Sequence, residues 1–208
     1  MRRSLCLMIS LVMGSLSCSP ADSSPASLKT NVRRTSRLAQ FCDDAKTNTK
    51  VDSATVDLSF IDRKGNRVDL KEFRGKKNIV LVVTRGYSGH LCPYCTAQTA
   101  QLIAQYGEFA KRGAEVLLVF PGPKDNLEKF ILGAEESADN ESTPFPVLLD
   151  ENFAAVDKLG IRGELAKPST DIIDKQGRIR FAYVGATISD RPSVKAMLTQ
   201  LDETKTKR

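Results

Sequence analysis

Asn78 to Leu102 reads NIVLVVTRGYSGHLCPYCTAQTAQL. Its first seven residues form an unbroken apolar run closed by Thr84, the pattern of a central strand buried on both faces. A short loop containing Gly86 and Gly89 follows, and then Cys92-Pro93-Tyr94-Cys95. From Pro93 to Arg112 the apolar residues Leu102, Ile103, Tyr106, Phe109 and Ala110 recur at helical spacing, and Gly113 ends the run. The stretch therefore predicts a strand, a loop and a helix, with two cysteines at the loop–helix junction.

A helix that starts at Pro93 places Cys92 at its N-cap and puts the proline where its missing N–H costs nothing. Unpaired backbone N–H groups and the helix dipole favour an anion there. Cys92 is accordingly expected to ionise well below the ordinary thiol value of about 8.5. Cys95 follows one turn later on the same face and is expected to be more buried and less acidic. An exposed thiolate beside a buried thiol is the pairing that disulfide exchange uses: Cys92 attacks a substrate sulfur, and Cys95 displaces the product.

Other uses of the pair are weaker. A structural disulfide over three residues closes too small a loop to stabilise much. A zinc site needs about four ligands, and the chain offers one C-x-x-C, a distant Cys42 and a single histidine, His90. A c-type haem needs histidine directly after the second cysteine, where Thr96 stands. No metal or cofactor is expected. His90 and Arg85 are candidate modulators of the thiol pKa, although His90 is better read as a solvated loop residue. Cys42 is read as an unpaired thiol of the tether or one that closes on a partner the sequence does not show, ahead of a third redox cysteine.

The remaining segments supply a sheet. TVDLSFID alternates like a half-buried strand, DRKGN turns, and RVDL follows. AEVLLVF is a second buried strand stopped by PGPKDN. A helix is expected from Leu127 to Leu132, fading into the acidic GAEESADNES; FPVLLD is a short strand and ENFAAVDKLGI a short helix. STDIIDKQGRIRFAYVG reads as a hairpin turned at DKQG, and RPSVKAMLTQLDE as a terminal helix with proline in its first turn. A βαβ unit followed by a hairpin and a helix gives an α/β fold with a central mixed sheet flanked by helices on both faces. C-x-x-C between the first strand and helix of that unit is the thioredoxin-like signature. A second feature is AKPST, Ala166 to Thr170, where Pro168 precedes the DII strand. From composition alone Pro168 is a trans proline opening a strand.

The 208 residues, 41% hydrophobic and 27% charged, suffice for one domain with its own core. The formal charge of +6 is misleading. Arg2, Arg3, Lys29, Arg33, Arg34, Arg37, Lys205, Lys207 and Arg208 lie at the two ends, and without those nine the body carries −3. This distribution speaks against nucleic acid as a partner. Residues 1–17 are expected to be a signal peptide: Arg2 and Arg3 precede the apolar Leu5 to Leu16, and Ser15 and Ser17 occupy the positions ahead of Cys18. Cleavage after Ser17 and lipidation at Cys18 are both open, the latter against an imperfect match, since Leu16 stands two places before the cysteine. Residues 18–50 are rich in Ser, Thr, Asp, Lys and Pro and read as a polar linker or tether, with a short helix within Val32 to Ala45. Residues 51–208 are expected to form the domain. The protein is expected to be exported, periplasmic or otherwise extracytoplasmic, with a membrane tether if Cys18 is lipidated.

CPYC after NIVLVVTRGYSGHL, with FPVLLDENFAAVDKLGI and KPSTDIIDKQGRIRFAYVG, resembles the alkyl hydroperoxide reductase/thiol-specific antioxidant family of peroxiredoxin-like redoxins, over about Val51 to Leu201. The resemblance implies a thioredoxin fold, Cys92 as nucleophile, Cys95 as resolving thiol and a cis proline at Pro168. It also implies a substrate groove at Pro168, Lys167 and Tyr94. The partners implied are protein or small-molecule disulfides and thiols, or hydroperoxides, with a thioredoxin-like electron donor. Peroxiredoxins carry P-x-x-x-T/S-x-x-C; counting back from Cys92, Gly89 and Arg85 stand at the Thr/Ser and Pro positions, and Pro168 where an arginine is usual. Leu91 replaces the tryptophan that precedes the first cysteine in thioredoxins. The dithiol of the disulfide-exchange branch is thus present, while the peroxide-binding set is not.

Overall fold

The computed structural model describes residues 39–50 and 57–206. Seven strands form one sheet: β1 (Ser59–Asp62), β2 (Arg67–Asp69), β3 (Asn78–Val83), β4 (Ala114–Pro121), β5 (Val147–Asp150), β6 (Ser169–Ile173) and β7 (Ile179–Val184). Their order across the sheet is β2-β1-β5-β4-β3-β6-β7. β3, β4 and β5 are parallel, whereas β1, β2, β6 and β7 join antiparallel. The helices are α1 (Pro93–Ala104), α2 (Tyr106–Lys111), α3 (Lys124–Ser137), α4 (Ala154–Lys158) and α5 (Val194–Thr206), with a single 3-10 turn at Leu70–Phe73.

The two apolar runs lie at the centre because only there are both strand faces covered. Every residue of β3 and β4 is buried. Val80 and Val82 pack with Leu102, Phe109, Phe130 and Met197 on the face that carries α1, α2, α3 and α5. Ile79, Leu81 and Val83 pack on the other face with Leu70, Val156, Ile161 and Ala166. Each such side chain contributes about 1.5–3 kcal/mol by leaving water. Together they hold rigid the C-terminal end of β3, from which the CPYC loop springs.

Three boundaries differ from the sequence pattern. The single helix expected over Pro93 to Arg112 is broken at Gln105 (φ −116°, ψ 13°). After the break, Tyr106 packs on Phe145 and donates its hydroxyl to Glu115. α3 runs on to Ser137 through the acidic stretch, because Ala134 and Ala138 are buried. Pro192 lies just before α5, whose first turn is capped by Ser193 Oγ accepting from the Ala196 N–H at 3.1 Å.

Residues 39–48 lie along the domain. Cys42 donates its N–H to the Arg191 carbonyl at 2.8 Å and accepts from the Ser193 N–H at 2.9 Å. Asn48 exchanges side-chain bonds with the backbone of Val184 on edge strand β7, both at 2.9 Å. No helix forms over 39–45, since these backbone groups pair with the domain. The rest of the helix expected in Val32 to Ala45, the leader and Cys18 lie outside the described residues.

Candidate active site at the Cys92–Cys95 corner

Cys92 is the N-cap of α1 and Pro93 its first residue. The Cys92 Sγ accepts from the Cys95 N–H at 3.4 Å. Both cysteines are free thiols, Cys92 6% and Cys95 1% exposed. The helix start thus lies where the sequence places it, and Cys95 is the more buried of the two, but Cys92 is itself buried and not the exposed thiol expected.

The electrostatics run opposite to the sequence expectation. Sγ of Cys95 receives the Arg191 Nη2 at 3.1 Å and the Arg85 backbone N–H at 3.4 Å. Burial alone would push the Cys95 thiol up. The hydrogen bond from Cys92, the Arg191 charge and the Arg85 N–H outweigh it and bring Cys95 down to about 6. Cys92 is pushed up, first by its hydrogen bond to Cys95 and then by burial. The two thiols therefore titrate as a pair, and the donors that converge on Cys95 Sγ favour negative charge on that sulfur. The helix N-terminus does act on Cys92, but a full positive charge in contact with Cys95 outweighs one backbone donor.

Arg191 was not legible as a site residue. It is 2% exposed and lies 96 positions from Cys95 in the chain. Its Nε donates to the Ile188 carbonyl at 2.9 Å and its Nη1 to Gln98 Oε1 at 2.7 Å. An arginine before Pro192 reads as a surface residue ahead of a helix. Only the folded path of the loop after β7 carries it under α1.

The other candidates divide. The Arg85 side chain turns outward to Glu164 at 3.2 Å, so its contribution to Cys95 is its backbone N–H. His90 is exposed and forms no hydrogen bond with either cysteine. Tyr94 is half-buried against the core beside the pair. Pro168 is buried at the entrance to β6, and Lys167 is exposed beside it. The peptide bond before Pro168 is trans, since no cis bond occurs among the described residues, which corrects the cis proline implied by the family resemblance. The chain runs extended into β6 and pairs on both sides of that bond, Lys167 N–H with the Ile161 carbonyl and the Pro168 carbonyl with Gly185 N–H, both at 2.8 Å. A cavity of about 150 Å³ lies here, lined by Arg85, Leu165, Lys167, Pro168, Gly185 and Ile188 among others. No metal-ligating cluster occurs among the described residues.

With this geometry in place, the likenesses to known proteins fall into one group. The model of the AhpC/TSA family matches residues 48–182. Thiol-disulfide oxidoreductase ResA of Halalkalibacterium halodurans is 26% identical over 131 residues, 62% of this chain and 66% of that protein. Chloroplastic peroxiredoxin Q of Gentiana triflora is 28% identical over 167 residues, 77% of this chain and 69% of its own length. Among solved structures, a yeast mitochondrial 1-Cys peroxiredoxin superposes with a TM-score of 0.66 at 17% identity, covering 76% of this chain and 77% of the other. The architecture is thus the thioredoxin-like one.

Proposed function

The chain belongs to the AhpC/TSA family, and from that premise we propose that it is a thiol-dependent oxidoreductase. It cycles between the Cys92/Cys95 dithiol and a disulfide joining the two. The observation that carries this reading is the reduced pair itself, with Arg191 Nη2 3.1 Å from Cys95 Sγ in a buried corner. In disulfide exchange, Cys92 attacks one sulfur of a substrate disulfide while its proton shifts to Cys95. The expelled substrate thiolate takes that proton, which leaves Cys95 a thiolate again. Cys95 then attacks Cys92 Sγ, the mixed disulfide breaks, and the second substrate thiolate leaves and is protonated from solvent. Two electrons have passed to the substrate, and a thioredoxin-like donor restores the dithiol. The cavity at Lys167 and Pro168 is the groove proposed for the incoming chain, with Tyr94, between the two cysteines in sequence, as a further contact.

The test traps the intermediate. In a Cys42→Ser background, Cys95→Ser should accumulate a mixed disulfide on Cys92, and the protein with both cysteines should give the Cys92–Cys95 disulfide by mass spectrometry. Absence of both species rejects the reading.

A second reading is favoured by the same contact. A hydroperoxide is small enough to reach a buried thiolate, and Arg191 offers positive charge to its oxygens. Cys95 would attack the O–O bond, becoming a sulfenic acid and releasing water or alcohol once the leaving oxygen is protonated. The Cys92 thiol would then condense with it to the same disulfide and water. Stopped-flow oxidation of the reduced protein by hydrogen peroxide, with Cys95→Ser as control, separates the two. A rate no faster than free cysteine leaves disulfide exchange alone.

The proposed location is outside the cytoplasm, supported by the apolar run Leu5 to Leu16 and the small residues ahead of Cys18. Fractionation of cells expressing the full chain, wild type and Cys18→Ser, tests both export and lipidation. Among the described residues no helix is long and apolar enough to cross a membrane.

A further inference from the structure

The guanidinium at the cysteine pair has an unusual set of partners. Arg191 is 2% exposed, and among the described residues no carboxylate lies within ion-pair reach of it. A buried charge without a counter-charge costs several kcal/mol. Its three nitrogens are all committed: Nε to the Ile188 carbonyl at 2.9 Å, Nη1 to Gln98 Oε1 at 2.7 Å, and Nη2 to Cys95 Sγ at 3.1 Å. The only one of these partners able to carry a negative charge is the sulfur.

Gln98 is the odd residue of this set. It lies one turn beyond Cys95 on α1, 2% exposed, on a face otherwise made of Cys95, Leu102, Ile103 and small residues. Its Oε1 is used, but its Nε2 is the buried side-chain nitrogen left without a partner among the described residues. An unpaired buried donor costs about 1–3 kcal/mol. Leucine or methionine would fill the same space, so what the amide adds is the contact of its oxygen with Arg191.

We infer that Gln98 is a positioning residue: by binding Arg191 Nη1 it aims Nη2 at Cys95 Sγ, so that the guanidinium stabilises negative charge on that sulfur. This rests on the dithiol reading above. The neutral amide is suited to the task because it orients the guanidinium without competing for its charge. Glutamate at the same place would keep the hydrogen bond and cancel the charge. The groups acting on Cys95 are Cys92 on its own helix, Arg191 from the loop before α5 and the Arg85 N–H after β3. The Arg85 guanidinium points away, to Glu164.

The experiment is site-resolved alkylation of the reduced full-length protein across pH, each cysteine quantified by mass spectrometry. Wild type, Gln98→Leu, Gln98→Glu, Arg191→Met and the Gln98→Leu/Arg191→Met double variant are compared. Gln98→Leu and Gln98→Glu should each slow Cys95 modification near neutral pH about tenfold or more and move its pH midpoint upward. The double variant should react like Arg191→Met alone, because the two residues act through one contact. Unchanged midpoints in both Gln98 variants, or additive effects in the double, overturn the inference. A lowered melting temperature with an unmoved pH profile would mark Gln98 as merely structural. Gln98→Glu supplies the answer if the leucine variant does not fold. The dithiol reading fails separately, if wild type forms no Cys92–Cys95 disulfide; the pH profiles are measured on reduced protein and stand apart from that result.

Discussion

Arg191 Nη2 sits 3.1 Å from Cys95 Sγ, and the sulfur also accepts the Arg85 N–H at 3.4 Å. The contact makes the buried cation depend on the oxidation state of the cysteines. In the dithiol form a thiolate balances it; in the disulfide form neither sulfur carries charge.

Oxidation is therefore expected to destabilise the fold. The disulfide closes too short a loop to add much stability, while it strips a buried guanidinium of its counter-charge. The reduced protein should be more stable at pH 7 by about 1–3 kcal/mol, and the couple correspondingly more oxidising than the same pair in Arg191→Met. The sign with pH follows from Cys95, which despite its burial is held at about 6, below the ordinary thiol range, by Cys92, Arg191 and the Arg85 N–H. The stability that its thiolate gives the reduced state is complete above about 9 and lost as pH falls through about 6. Denaturant unfolding of both forms, in a Cys42→Ser background, should show the gap closing on acidification. An oxidised form that is the more stable at pH 7 would falsify the counter-ion account.

Gly86 fixes the loop that delivers the Arg85 N–H. Its φ is +92°, and a Cβ there would run into the Pro121 carbonyl oxygen. Gly86→Ala is expected to cost about 2–4 kcal/mol through backbone strain and the clash. It should also slow Cys95 alkylation by displacing Arg85. Thermal melting and the alkylation rate, measured on one preparation, check both. An alanine variant that melts like wild type would show that Pro121 yields.

What the sequence made legible was whatever depends on local pattern. The runs of β3 and β4, the N-cap at Cys92 and the hairpin follow from periodicity and turn residues, and each is found in the fold. The half of the site that polarises the pair was not legible. Arg191 and Gln98 are polar residues far apart in the chain whose burial is set by tertiary packing, and no local signal marks them. Pro168 shows the same limit from another side: the residues alone read it as trans, and the family likeness pointed to cis.

Asp171 is a charge placed by tertiary structure in the middle of β6, between Leu81 of β3 and Ala182 of β7. Burial pushes its carboxyl up to about 7. A raised carboxyl favours the neutral form: the stability it gives is complete below about 4 and lost as pH rises through about 7. Asp171→Asn keeps the shape and removes the ionisation. It should leave stability nearly unchanged at pH 3 and raise it by about 1–3 kcal/mol at pH 8. Urea midpoints at the two pH values decide, and an equal change at both would rule out the titration.

The stretch 39–48 predicts a second link to the pair. Its Cys42 backbone brackets Arg191, bonding the Arg191 carbonyl and the Ser193 N–H. Asp43 adds bonds to Ser193 Oγ at 2.6 Å and Lys195 Nζ at 3.1 Å, and Asn48 anchors the far end on Val184. If this strap holds the Arg191 loop in register, loosening either anchor should act on a sulfur that neither touches. Asn48→Ala and Asp43→Ala should each lower stability, Asn48→Ala by about 1 kcal/mol. Both should also shift the Cys95 alkylation midpoint upward, in the direction of Arg191→Met but by less. Cys42→Ser keeps the backbone bonds, so it should leave the midpoint where it is. Stability losses with an unmoved midpoint would confine the strap to holding the edge of the sheet.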